Sequence, residues 1–250
     1  MTHKVAFITG AGRGAGRAIA LRFARDGYAV AVVGRSEAPL RVVGDEIAAL
    51  DRQALPIVCD VAKRDQVHAA AALAHEQLGP IDVLINNAGV SDSAPFAVMD
   101  DELWDRMLSV NLTGTYHCMR AIVPGMFERR RGRVINIASI AAKVGFAYTA
   151  AYVAAKHGVL GLTRAVAAEA AHKGVTVNAI CPGWLDTGMT DRSVARIASK
   201  TGTTPGDARQ ALERMNPQFR LIQPEEVASI AAFLASSDAD GINGQDFDIG

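Results

Sequence analysis

Tyr152 and Lys156 stand four residues apart in Tyr152-Val153-Ala154-Ala155-Lys156, the opening of a long segment with helical spacing. Residues four apart share one helix face, so a phenol and an ammonium would flank the same site. A phenol with a pKa of about 10 is a poor base at neutral pH. A neighbouring ammonium stabilises the phenolate and lowers that pKa, which makes proton exchange with an alcohol oxygen feasible. The pair alone is a weak signal, because Tyr and Lys are both ordinary helix-surface residues. Ser139 strengthens it. It follows the apolar run at 134–138, and open α/β sheets bind ligands at the carboxyl ends of their strands. Ser139 and Tyr152 would converge on one substrate oxygen, from a loop and a helix.

A second group of residues could hold an anionic cofactor. The first apolar run ends in Thr9-Gly10-Ala11-Gly12-Arg13-Gly14-Ala15-Gly16, and a helical segment follows at once. Glycines there let the backbone turn sharply and approach a pyrophosphate, whose charge then rests on the helix N-terminus. The string satisfies G-x-G-x-x-A through Gly10, Gly12 and Ala15, and T-G-x-x-x-G-x-G through Thr9, Gly10, Gly14 and Gly16. An NAD site usually places a carboxylate at the tip of the second strand, where it accepts from the adenosine ribose. Here that tip reads Gly34-Arg35-Ser36. Arg35, with Arg13 in the glycine turn, suits a 2′-phosphate, so NADP is the expected cofactor and NAD the alternative.

These residues need a scaffold, and the rest of the chain describes one. Short, nearly continuous apolar runs at 5–9, 29–33, 55–59, 83–85, 134–138, 175–180 and 247–249 alternate with helical patterns at 15–26, 37–51, 63–78, 101–131 and 152–173. Runs of this kind read as strands covered on both faces. Repeated β-α-β order predicts a doubly wound α/β fold of the Rossmann type, with a parallel seven-stranded sheet and helices on both faces. No linker or repeat interrupts it, so residues 1–250 read as a single domain. The segment 184–220 breaks the rhythm, with Gly188, Gly202 and Thr204-Pro205-Gly206 around two short helical patterns. An insertion at the carboxyl edge of the sheet is where a substrate lid would sit, although a plain surface excursion would read the same way.

Composition excludes several classes. The chain has 250 residues, half of them hydrophobic, and a formal net charge of zero. A chain this long can bury a core without disulfides or a structural metal. Cys59, Cys118 and Cys181 are odd in number and form no C-x-x-C pair, which points to a reducing cytoplasm. The six histidines show no ligand spacing, and His117 and His157 read as ordinary side chains, so no metal is expected. Neutral charge argues against nucleic acid or an anionic membrane as partner, and Arg129-Arg130-Arg131 with Arg133 reads as the cationic end of a long helix. Met1-Thr2-His3-Lys4 leads straight into a strand, and no stretch is long and apolar enough for export or membrane spanning.

Thr9-Gly10-x-x-x-Gly14-x-Gly16, Asn86-Asn87-Ala88-Gly89, Asn111, Ser139, Tyr152-x-x-x-Lys156 and Pro182-Gly183 together resemble the classical short-chain dehydrogenase/reductase family, in its order and spacing and over essentially the whole chain. The resemblance implies that Tyr152 is the acid/base and that Lys156 lowers its pKa and holds the nicotinamide ribose. It implies that Ser139 polarises the substrate carbonyl and that Asn111 anchors a water of the proton relay. Asp60 and Val61 would meet the adenine, Asn87, Ala88 and Gly89 the adenosine ribose side, and Pro182, Gly183, Leu185 and Thr187 the nicotinamide and its phosphate. It further implies a homodimer or homotetramer packed through the helices at 101–131 and 152–173, whose small residues include Ala154, Ala165 and Ala168. Family members usually continue past the last strand with a Gly-Gly pair, whereas this sequence ends in Asp248-Ile249-Gly250.

The expected reaction is hydride transfer between NADP(H) and a ketone/secondary alcohol pair, with a 3-oxoacyl compound as the favoured substrate. An NAD-dependent sugar, polyol or hydroxyacid dehydrogenase is one alternative, and a non-catalytic dinucleotide sensor another. The extended epimerases and dehydratases fit less well, since no separate C-terminal domain is present. Val144, Phe146, Tyr148, Trp184, Met189 and Met215 could line an apolar pocket or simply pack in the core. The lid mixes them with Arg192, Arg196, Lys200, Arg209, Arg214 and Arg220.

Overall fold

Seven runs of small and β-branched apolar residues form β1 (Val5–Thr9), β2 (Ala29–Gly34), β3 (Ala54–Val58), β4 (Ile81–Asn86), β5 (Gly132–Ile137), β6 (Val175–Pro182) and β7 (Asp246–Ile249). The computed structural model describes residues 3–250, so Met1 and Thr2 of the expected lead-in lie outside the described residues. All neighbouring strands pair in parallel, in the order β3-β2-β1-β4-β5-β6-β7. This is the expected doubly wound sheet, and each strand lies within two residues of its expected run. Every residue of β1 and β6 is buried, which is why their sequences do not alternate.

Helices cover both faces. On one side α1 (Gly14–Arg25), α2 (Glu37–Ala48) and α9 (Pro224–Ala235) bury Ile19, Phe23, Leu40, Ile47, Val227 and Leu234 against the sheet. On the other, α3 (Arg64–Leu78), α5 (Gly114–Arg129) and α6 (Ala150–Ala170) bury Val67, Ala74, Met119, Met126 and Ala167. Leu84 on β4 has no exposed surface, and cutting such a side chain to alanine costs about 2–5 kcal/mol. The edge strand β3 carries Pro56, which has no N–H to offer another chain and so blunts that edge.

Two elements differ from the expectation. The helix expected over 101–131 is broken into α4 (Asp101–Leu108), a π-helical turn at Ser109–Thr113, and α5. Pro124 lies inside α5 without ending it, so the break is not made by proline. Helix α9, held at its start by a capping box between Gln223 and Glu226, was not among the five helical segments read from the sequence.

The basic run serves the fold. Arg129 and Arg130 donate to the carbonyls of Ile81 (2.9 Å) and His172 (2.8 Å), and Arg133 pairs with Asp240. Among the described residues, no helix is long and apolar enough to cross a membrane.

Candidate active site

The strand order reverses between β1 and β4, and a cavity of about 550 Å³ opens there, at the carboxyl ends of the strands. All residues expected at the site line it. Gly10, Gly12, Arg13, Gly14, Ala15 and Gly16 form one wall, beside Arg35, Ser36, Asp60 and Val61. Asn87, Ala88, Gly89 and Asn111 line it too, as do Ser139, Tyr152 and Lys156, and then Pro182, Gly183, Leu185 and Thr187.

The glycine turn is held by two side chains that hydrogen-bond to backbone. Thr9 Oγ1 accepts from the N–H groups of Asn87 and Ala88 (3.0 Å each), and Asn87 Nδ2 donates to the carbonyls of Thr9 (2.9 Å) and Gly10 (3.3 Å). A Cβ on Gly16 would lie 2.2 Å from the Gly10 carbonyl oxygen, so only glycine fits where α1 begins. Gly10 and Gly14 have φ of +65° and +53°, the left-handed region that favours glycine. The turn is thus a concave bed of N–H groups at the start of α1, suited to a diphosphate. Arg13 and Arg35 both line the cavity, and neither is in an ion pair among the described residues. With no carboxylate at the tip of β2, the bed fits NADP.

The catalytic candidates meet at the other end. Lys156 is buried, its Nζ donating to the Ile137 carbonyl at 2.8 Å and lying 5.8 Å from the centre of the Tyr152 ring. Ser139 begins a 3₁₀ turn (Ile140–Ala142), and its Oγ accepts from the Ala141 N–H at 3.1 Å. That bond leaves the hydroxyl proton free to donate to a ligand. Burial pushes the Tyr152 phenol up from its ordinary value, with Ser139 opposing the shift. Burial also pushes the Lys156 ammonium down, to about 8. The sequence predicts that Lys156 lowers the phenol. In the protein alone desolvation prevails, and both groups lean towards their neutral forms.

Asn111 lines the cavity as well. Its side chain sits in the π-helical turn, with Nδ2 donating to the carbonyls of Val90 and Met107 (3.0 Å each) and Oδ1 accepting from the Val90 N–H (3.0 Å). Both amide hydrogens are therefore engaged by backbone. The side chain instead staples the loop after β4 to the broken helix, and Oδ1 lies 2.9 Å from where a Cβ on Gly89 would be.

The segment 184–220 carries α7 (Gly188–Thr201) and α8 (Pro205–Glu213). Its ends are zipped together. Leu185 bridges Ile222, and the Ile222 and Asp186 N–H groups donate to Trp184 and Ile222 at 2.9 and 2.8 Å. Buried Asn216 accepts from the Trp184 N–H (2.9 Å) and donates to the carbonyls of Trp184 (2.9 Å) and Arg220 (2.7 Å). A Cβ on Gly183 would be 2.3 Å from Asn216 Oδ1, which explains the glycine after Pro182. Sequence reading missed Asn216, because nothing local distinguishes one Asn in a loop. Phe146, Tyr148, Trp184, Met189 and Met215 line the cavity, whereas Val144 does not. Tyr148 holds φ +68° and its carbonyl accepts from the Ala94 N–H at 2.9 Å, tying the two lips of the cavity.

Cys181 is buried, and its thiol is pushed up to about 11 by desolvation, so it packs as an apolar group. Cys181, Asp246 and Asp248 lie close enough to share a cation, but Lys143 already pairs with both carboxylates. His117 and His157 bond the carbonyls of Val61 and Val153 (3.0 Å each) and take no place beside Tyr152.

Residues 4–198 match the family described as short chain dehydrogenase. The chain belongs to that family. An uncharacterized oxidoreductase, YxjF, of Bacillus subtilis is 38% identical over 247 residues, covering 98% of this chain and 96% of the relative. A putative ketoacyl reductase of Streptomyces coelicolor is 36% identical over 97% of this chain and 94% of its own. The crystal structure of a variant of actinorhodin polyketide ketoreductase with NADPH superposes with a TM-score of 0.95 at 36% identity, covering 99% of this chain and 95% of that one. This protein is accordingly an oxidoreductase of the family, acting on CH–OH groups, and its cofactor bed fits NADP.

Proposed function

We propose that this enzyme moves hydride between NADP(H) and a ketone/secondary alcohol pair, with a 3-oxoacyl-type ketone as substrate. The observation that carries the reading is one cavity lined both by Arg13 and Arg35 and by Tyr152, Lys156 and Ser139. The ketoacyl and polyketide reductases to which the chain is similar support the substrate class. An NAD-dependent sugar or polyol dehydrogenase fits less well, because Arg35 stands where a ribose-binding acid would be.

The cofactor, when bound, supplies or accepts the hydride at the substrate carbon. Tyr152 gives its phenolic proton to the carbonyl oxygen during reduction and takes it back during oxidation. Ser139 Oγ donates to the same oxygen as negative charge develops there. Lys156 holds the nicotinamide ribose and stabilises the phenolate form of Tyr152. Asn111 keeps the loop after β4 in place under Gly89 and anchors a water of the proton relay through a carbonyl oxygen. Asp60 and Val61 receive the adenine, Asn87 to Gly89 the adenosine ribose, and Pro182, Gly183, Leu185 and Thr187 the nicotinamide and its phosphate. Segment 184–220 is the substrate lid. Helices α5 and α6, with Ala165 and Ala168 on the outside of α6, pack against a second copy in a dimer or tetramer. Three buried, unpaired cysteines suit the reducing cytoplasm.

The test is a panel of ketones and alcohols with NADPH, NADP, NADH and NAD, followed by nicotinamide absorbance, on the natural sequence and on Tyr152→Phe. Removing the acid/base lowers kcat by a factor on the order of 10²–10⁴, while NADPH affinity stays within about threefold. Tyr152→Phe with near-normal turnover overturns the mechanism, and a preference for NADH overturns the reading of Arg13 and Arg35.

A further inference from the structure

Four arginines of the lid fall into two groups. Arg209 pairs with Asp186 and Glu213, and Arg220 with Glu226, all at the surface. Arg192 and Arg196, four residues apart and thus on one face of α7, line the cavity instead. Like charges at that spacing repel each other, so a helix gains nothing from this pair by itself. Arg192 is exposed, and among the described residues it makes no ion pair and no side-chain hydrogen bond. Arg196 is aimed by its neighbours: it pairs with Asp92 and donates to Ser93 Oγ at 3.2 Å, while Asp92 is shared with Arg106.

The lining also shows where negative charge is missing. Asp60, near Arg35 and Ser36, is the one carboxylate among the lining residues, against Arg13, Arg35, Lys156, Arg192 and Arg196. Arg13, Arg35 and the start of α1 meet the charge of the cofactor at the far end. Arg192 and Arg196 stand on the lid helix, whose Met189 lines the same cavity together with the apolar Trp184, Leu212 and Met215, and the Arg192 guanidinium reaches back to within 3.9 Å of where a Cβ on Gly188 would be. A wall of this composition suits a ligand with an apolar body and an anionic group that two guanidinium forks can grip.

We propose that Arg192 and Arg196 form a binding site for an anionic group on the substrate, so that the enzyme selects ketones bearing a carboxylate or a phosphate ester over their neutral counterparts. This rests on the ketone-reductase reading above. Arg192 is the decisive residue, since its replacement breaks no ion pair or side-chain hydrogen bond among the described residues.

Two matched pairs of probes separate the sources of charge while keeping the reacting carbonyl: acetoacetate against methyl acetoacetate, and acetoacetyl-coenzyme A against S-acetoacetyl-N-acetylcysteamine. The expected result is a preference for the anionic member of at least one pair, by about tenfold or more in kcat/KM, falling about tenfold in Arg192→Gln, chiefly through KM. Arg192→Lys restores part of it. The pair that discriminates names the source, carboxylate or phosphate. Equilibrium binding of the same four compounds to the Tyr152→Phe protein with NADPH gives the ratio without turnover. Failure to reduce any ketone therefore sinks the reductase reading alone. Equal binding within both pairs, or a preference that survives both Arg192→Gln and Arg196→Gln, overturns the anion site. So does a loss of NADPH affinity in Arg192→Gln with the substrate ratio unchanged, which would give Arg192 to the cofactor.

Discussion

Helices α1 and α7 both begin over the same cavity, but the chain treats the two beginnings differently. At Gly16 an added Cβ would lie 2.2 Å from a backbone oxygen and 2.5 Å from Asn87 Nδ2. At Gly188 it would meet nothing nearer than an Arg192 guanidinium nitrogen at 3.9 Å, the far end of a flexible side chain. The cofactor end is fixed by backbone packing and by Thr9 and Asn87, whereas the lid is held by its zipped ends and by side-chain charges at the surface. The contrast suits a bed that receives one invariant cofactor and a cover that must open for substrate.

The sharpest way to break this comparison is one methyl group at each helix start. Gly16→Ala must displace the glycine turn, so NADPH affinity is expected to fall at least about a hundredfold, with a stability loss of about 1–3 kcal/mol from overpacking. Gly188→Ala should leave NADPH affinity within about threefold and stability within about 1 kcal/mol, the range usual for an uncrowded substitution. Isothermal calorimetry and thermal melts of both variants check it. Equal effects at the two sites would remove the distinction between bed and cover.

What could be read from the sequence follows the same division. The glycine turn, Ser139 and the Tyr152–Lys156 pair are local patterns whose spacing dictates geometry, and all of them reach the cavity. The break at Ser109–Thr113 was not legible. It contains neither Gly nor Pro, and depends on Asn111 reaching Val90, 21 positions away in sequence. The segment 184–220 could be seen as an insertion with two short helices. Its closure through Asn216, and the choice of Arg192 and Arg196 over Arg209 and Arg220 for the cavity, depend on contacts between elements. The same holds for Tyr152 and Lys156, whose shifts come from burial that spacing does not reveal.

Lys156 supplies the next test, because its burial at the catalytic end of the cavity destabilises the fold. Its ammonium is held at about 8, below the unfolded value of about 10.4. Between those values the unfolded chain binds more protons than the folded one, so stability rises with pH through that window. Below about pH 8 both states are protonated and the full penalty, about 3 kcal/mol, is present. Lys156→Met should therefore raise the melting temperature of the cofactor-free protein at pH 7 by about 2–10 °C, while turnover is lost. The gain should fade as pH climbs from 8 to 10.5. A variant less stable than its parent at pH 7 would show that the bond to the Ile137 carbonyl outweighs desolvation.

The smallest effect belongs to the lid. Asp92 pairs with Arg196 of α7 and with Arg106 of α4, so one carboxylate joins the cover to the helix across the mouth of the cavity. All three side chains are partly exposed, and pairs of this kind contribute about 0–1 kcal/mol each. Asp92→Asn should lower the melting temperature by no more than about 3 °C. It should act on the opening of α7 instead, with amide exchange along Gly188–Thr201 speeding by about 2–5-fold, the factor that 0.5–1 kcal/mol of local stability corresponds to. Because surface charges are screened, added salt should accelerate exchange in the natural protein and leave the variant nearly unchanged. Exchange in the glycine turn, whose clasp by Thr9 and Asn87 involves no ion pair, should respond to neither the substitution nor the salt. If α1 loosens together with α7, the lid and the cofactor bed open as one unit, and the two ends of the cavity are not independent.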